Sequence, residues 1–178
     1  MSEQATASSV VSSTPLVVRA VLRTDVGRVR SENQDFGSVS PSAEEAGHCG
    51  ERLLIVADGM GGHRGGATAS RIAGETVKTQ WEGSGTEDIA AALGDALTRA
   101  NTRIFNEAQN NADLRGMGTT TSALLVRENQ AWLAHVGDSR IYLVRGDSIT
   151  QLTDDHSLVA VMVREGLLPS KEAETHPR

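Results

Sequence analysis

An acid precedes five glycines within eight residues at Asp58-Gly59-Met60-Gly61-Gly62-His63-Arg64-Gly65-Gly66. A glycine-rich stretch between an apolar run and a helix invites a phosphate cradle, but the spacing denies it. The Walker motif needs a Gly-Lys-Ser/Thr ending and this stretch has no lysine. The dinucleotide pattern begun at Gly59 needs glycine where Arg64 stands. What remains is a carboxylate at the end of a strand, followed by main chain that no side chain obstructs. That combination suits a hard cation, which takes carboxylate and carbonyl oxygens. A solvated Asp58 in a tight strand-to-helix turn is the competing explanation, and the density of glycines brings the two about level.

Two further carboxylates could join it. Asp35 closes Arg30-Ser31-Glu32-Asn33-Gln34-Asp35, and Asp138 sits in His135-Val136-Gly137-Asp138-Ser139-Arg140. Taken singly, each is more simply a turn residue, since Asp, Asn, Ser and Gly are turn formers. His63 lies among the glycines, His135 inside an apolar strand, where packing is its simplest role, and His156 at a helix start, where it caps or follows a turn. Neither H-E-x-x-H nor G-x-S-x-G occurs, which weakens zinc-protease and serine-hydrolase chemistry. Cys49, the single cysteine, has no evident base beside it and excludes a disulfide framework or a Cys-rich metal site.

The elements that must position these residues follow from periodicity. Leu16 to Arg23, Asp35 to Ser40 and Arg52 to Ala57 are predicted strands, the last a short apolar run that suits a buried one. Ile72, Ala73, Thr76, Val77, Gln80 and Trp81 repeat at three and four and predict a helix over about 66–82. Ile89, Leu93, Ala96, Leu97, Ala100 and Ile104 predict a second over about 86–110, with Thr86 as N-cap. Three strand-like runs, Thr119 to Arg127, Gln130 to Val136 and Arg140 to Arg145, are close enough for an antiparallel meander. Ser157 to Glu165 is a last amphipathic segment. Consecutive strands without crossover helices predict α+β rather than a doubly wound parallel sheet.

Composition bounds the partners. The 178 residues fit one domain; 38% are hydrophobic, 22% charged and 3% aromatic, with a net charge of −6. An acidic chain lacks the Lys and Arg surplus that nucleic-acid affinity needs. Few aromatics leave little for base stacking. No apolar run approaches the ~18 residues of a membrane helix. The N-terminus has no signal-peptide pattern, so neither nucleic acid nor membrane is expected, and the cytoplasm is the default compartment. Residues 1–14, rich in Ser, Thr and Ala, are read as a flexible tail, and 15–178 as the domain.

Four blocks in order, TDVGRVRSENQD, LLIVADGMGGHRGG, GMGTTTSALLV and AWLAHVGDSRIYLVRGDSITQLTDDHS, resemble the type-2C, metal-dependent protein serine/threonine phosphatases (the PPM family), especially bacterial members. They run from about Arg23 to Ser157. The resemblance implies a four-layer αββα sandwich, two antiparallel sheets face to face with helices outside. It implies two manganese or magnesium ions with a bridging water that attacks phosphorus, and a third, weaker ion.

By the same resemblance Asp58 bridges both ions, the Gly59 carbonyl binds one of them, and Asp35 acts through bound water. Arg30 holds the substrate phosphate, Asp138 helps hold the third ion, His63 serves as general acid, and Thr120 supports the site. Substrates would be phosphoproteins, with a partner Ser/Thr kinase in signalling. The family continues into S-D-G and D-N blocks that carry two more metal-binding aspartates. This sequence ends at Thr175-His176-Pro177-Arg178, in the flap region, so an incomplete C-terminal part of the domain is expected. Two divalent cations bring four positive charges against the two negative ones of Asp35 and Asp58. The alternative is therefore a catalytically inactive truncated or pseudophosphatase fragment that binds phosphoproteins or a partner.

Overall fold

The computed structural model describes residues 17–41, 50–169 and Glu172, and leaves the side chains of 62–64 undescribed. The proposed N-terminal tail and Cys49 lie outside these residues. The order is β1 (Asp35–Ser40), β2 (Glu51–Met60), α1 (Gly62–Glu82), α2 (Ile89–Asn110), β3 (Gly118–Thr119), β4 (Thr121–Arg127), β5 (Gln130–Val136), β6 (Tyr142–Arg145), β7 (Ser148–Gln151) and α3 (Leu158–Arg164). One antiparallel sheet runs β1-β2-β4-β5, with β3 pairing the end of β2, and β6 and β7 form a separate two-stranded sheet. The α+β class, with antiparallel sheets and helices, is thus what the chain adopts.

β2 is the spine, because its alternation separates two faces. Leu53, Ile55 and Ala57 are buried, while Val56, Asp58 and Met60 are exposed. The buried side meets Val77 of α1 and Ile89, Leu93 and Ala96 of α2, and is extended by Ala123 and Leu125 of β4. Full burial of a Leu or Ile contributes about 1.5–3 kcal/mol. The core therefore holds one face of the sheet against the helices and leaves Asp58 on the other. In α1 the buried Ala69, Ala73 and Val77 recur every four residues, the helical spacing that puts them on one stripe.

Four boundaries differ from expectation. Residues 17–23 form neither helix nor strand. A strand exists only through a partner's hydrogen bonds, none of the described strands pairs with this segment, and Val17 and Val21 are exposed. The N-cap of α2 is Asp88, whose carboxylate accepts from the Ala91 N–H at 3.1 Å; Thr86 instead accepts from the Asp88 N–H at 3.1 Å. β7, carried by Ser148-Ile149-Thr150-Gln151, was not expected, since three hydrophilic residues and a lone Ile give little period-two signal. The glycine stretch after Asp58 is not a loop: β2 continues to Met60, α1 starts at Gly62, and Gly61 alone joins them.

Candidate active site

Register brings the first two acids together. Asp35 of β1 pairs directly with Asp58 of β2, so both side chains point to the face away from the helices. Partial burial and the Asp35 charge push the Asp58 carboxyl above its ordinary value. Arg30 pulls the other way; a hydrogen bond with Asp35 and the charge of Asp138 add to the rise. All four groups therefore share one electrostatic neighbourhood, although Asp35, Asp58 and Asp138 are far apart in sequence. Like charges directly opposite on paired strands are destabilising. A fold that sets them so has left room for positive charge.

The main chain around Asp58 is fastened on both sides. The Asp58 N–H donates to Thr120 Oγ1 at 3.0 Å, and the Asp58 carbonyl accepts from the Thr120 N–H at 2.9 Å and from Thr119 Oγ1 at 2.9 Å. Thr120 Oγ1 and Ser139 Oγ are 2.6 Å apart, which ties the Asp58 strand to the turn that carries Asp138. Gly59 donates its N–H to the Gln34 carbonyl at 3.1 Å. A Cβ on Gly59 would lie 2.0 Å from the Gly66 carbonyl oxygen and 2.7 Å from that of Gln34. The glycines at 59 and 66 thus let the end of β2, the start of α1 and the residue before Asp35 meet main chain to main chain. Close packing, more than an open approach, explains why glycine stands at 59.

Arg30 is exposed just before β1, and its charge reaches Asp58. His63 falls in the first turn of α1, among the residues whose side chains are undescribed. Asp138 is exposed in the turn after β5. Of the expected site set, Asp35 and Asp58 are paired directly, Arg30 and Asp138 act on Asp58 through their charge, and Gly59 follows Asp58 in the chain. His156 was expected to cap or to follow the Asp154-Asp155 turn; the N-cap of α3 is Ser157, accepting from the Ala160 N–H at 3.2 Å, which leaves the second. The links from Thr120 to Ser139 and from His156 to the Asp138 turn had no signal in local spacing.

Carboxylates and a backbone carbonyl are the donor types a hard divalent cation takes, and Asp58 stands under the charge of Asp35, but among the described residues no three His, Cys, Asp or Glu side chains converge closely enough to hold a metal. Among the described residues, no helix is long and apolar enough to cross a membrane.

Residues 23–160 match the family Protein phosphatase 2C. The chain is 39% identical over 165 residues to "Serine/threonine phosphatase stp" of Listeria innocua, which takes in 90% of this chain and 64% of that relative. A crystal structure of the Mycobacterium tuberculosis serine/threonine phosphatase PstP/Ppp superposes with a TM-score of 0.73 at 39% identity, over 87% of this chain and 62% of that one. The catalytic domain of serine threonine protein phosphatase PstP in complex with 2 manganese ions matches with a TM-score of 0.70 at 38% identity, over 85% of this chain and 61% of that one. The chain therefore spans a little under two thirds of the length of these relatives.

Proposed function

The chain belongs to the protein phosphatase 2C family, and from that premise we propose that its site hydrolyses phosphoserine and phosphothreonine in proteins, using divalent manganese or magnesium. The observation that carries this is the direct pairing of Asp35 with Asp58. Asp58, Asp138 and the Gly59 carbonyl would hold cations directly, and Asp35 through water. Bound there, such cations would supply a more acidic water and neutralise charge on the phosphoryl group.

The chain's own residues have separate tasks. Arg30 would take two phosphoryl oxygens on its guanidinium fork and set the phosphorus against the acids. Thr120 keeps the Asp58 main chain from shifting, its hydroxyl accepting from the Asp58 N–H and its own N–H donating to the Asp58 carbonyl. His63 would give a proton to the departing serine or threonine oxygen. The substrates would be the products of a Ser/Thr kinase. Manganese-dependent hydrolysis of a phosphothreonine peptide should fall at least ~10²–10³-fold in Asp58→Ala, the scale of losing a key electrostatic group. Hydrolysis that survives both this change and a chelator refutes the assignment.

One observation favours a second function, binding without turnover. Among the described residues, no three His, Cys, Asp or Glu side chains converge closely enough to hold a metal. In that case the face would capture a phosphoprotein or a protein partner. Calorimetric titration separates the two: tight binding of two manganese ions supports hydrolysis, and absence of binding supports capture.

A further inference from the structure

We propose that His156, with His135 behind it, is a positioning residue that aims Asp138 by holding both polar main-chain atoms of Gly137; this rests on the assignment of Asp138 to cation binding above. The Gly137 carbonyl accepts from the main-chain N–H of His156 at 2.8 Å and lies 3.0 Å from His135 Nε2. The Gly137 N–H in turn donates to His156 Nδ1, the longest of the three at 3.4 Å.

These partners constrain both rings. A carbonyl only accepts, so His135 Nε2 carries a proton, and its Nδ1 lies 2.9 Å from the Ser122 hydroxyl. His156 Nδ1 faces an N–H and is therefore the bare nitrogen of that ring in this arrangement. The ring centroids are 5.2 Å apart.

The other side of the turn is closed by Thr120. Gly137 has φ of +108, and a Cβ there would come within 2.6 Å of Thr120 Cγ2. Ser139, on the far side of Asp138, is bound to Thr120 Oγ1. Both neighbours of Asp138 are thus gripped, Ser139 by Thr120, which is itself bonded to Asp58, and Gly137 by the two histidines. His156 is itself held in place from its own segment. The preceding Asp155 receives the Arg140 guanidinium at 2.9 and 2.6 Å, and Thr153 Oγ1 accepts from the Ile141 N–H at 3.2 Å. Neither imidazole reaches the acids of the site through any of these bonds, so their contribution is to geometry.

The test uses the full chain and two substitutions. His156→Asn keeps an acceptor near the Nδ1 position, and His156→Leu keeps volume without one. Three quantities are measured: amide hydrogen exchange at Gly137 without metal, manganese affinity from the free-ion resonance signal, and the manganese concentration that half-saturates phosphopeptide hydrolysis. His156→Leu should speed Gly137 exchange and weaken manganese binding, each about five- to tenfold, the scale of one net hydrogen bond. The peptide KM should stay near wild type and the thermal midpoint should fall by only about 2–5 °C, the share of one hydrogen bond, while His156→Asn should remain within about twofold throughout. Unchanged Gly137 exchange or unchanged manganese affinity in His156→Leu overturns the proposal. So does an equal loss in both variants that tracks the thermal midpoint. The exchange arm needs neither cation nor substrate, so a wild-type chain that hydrolyses nothing would refute the phosphatase assignment while leaving the positioning role decided on its own data.

Discussion

At the N-terminal end of β2, Glu51 accepts from Arg127 Nε and, at 3.0 Å, from Trp81 Nε1, and the Arg127 guanidinium lies 5.6 Å over the Trp81 ring. Further along the same strand, Asp58 stands opposite another carboxylate and is pushed up in pKa by burial and by Asp35. Both acids are on one strand and in one antiparallel register. One end matches each charge with an opposite charge or a donor, which favours the folded chain without help. The other assembles like charges and so depends on something positive that the strand itself does not provide. Stability has been placed at one end and affinity at the other.

The largest expected effect comes from breaking the main-chain packing that lets the acidic end form at all. In Gly59→Ala the new methyl must displace the carbonyl of Gly66 or of Gln34, both of them main chain. Overpacking of this kind costs about 3 kcal/mol. For a chain of this size the thermal midpoint should fall by roughly 6–12 °C. Scanning calorimetry without metal checks it. An unchanged midpoint would mean that β2 and α1 can separate at no cost, and that glycine at 59 serves ligand access after all.

The next effect breaks the compensated end. Arg127→Ala removes an ion-pair partner of Glu51 and the cation over Trp81. A part-buried pair with charge-assisted hydrogen bonds supports a loss of about 1–2 kcal/mol. The fall should appear in urea unfolding, with phosphopeptide turnover within about twofold of wild type, because no residue of the acidic end is touched. A loss of turnover larger than the loss of stability would show that the two ends are coupled along β2.

What the sequence made legible follows this same division. The apolar run Arg52 to Ala57 announces a buried strand, and the three- and four-residue spacing in α1 and α2 announces the helices that cover it, because both are local patterns. Asp58 stood out for the glycines after it. The register that pairs Asp58 directly with Asp35 was not legible in local pattern, because register joins residues that are close only after folding; the family resemblance alone set both at one centre. Nor was the grip of His156 on Gly137, which needs the hairpin of β6 and β7 to bring the segment after β7 back to the end of β5. The strand expected at Leu16 to Arg23 had the right residues, but its described part, residues 17–23, has no pairing partner among the described strands. Composition sets strand propensity, while hydrogen-bonded neighbours decide whether a strand forms.

The smallest effect is the most direct test of like-charge pressure, and its sign is opposite to that of most substitutions at an active site. Because the folded-state pKa of Asp58 is raised, the folded chain binds that proton more tightly than the unfolded chain does. The resulting stability is present at low pH, where Asp58 is protonated in the folded chain, and is lost as pH rises through the raised value. At neutral pH without metal, Asp58→Asn should therefore be more stable than wild type, by about 0.2–1 kcal/mol, the range for cross-strand charge pairs. The advantage should disappear below the ordinary Asp range near pH 4. Manganese should reverse the order, since a ligand bound only by the folded state adds stability in proportion to the logarithm of its saturation ratio, and the variant gives up that gain. Thermal midpoints of the two proteins at pH 4 and pH 7.5, with chelator and with manganese, measure all four corners. An Asp58→Asn chain less stable than wild type in chelator at pH 7.5 would show that Asp35 and Asp58 do not repel, and the contrast between the two ends of β2 would fail at its acidic end.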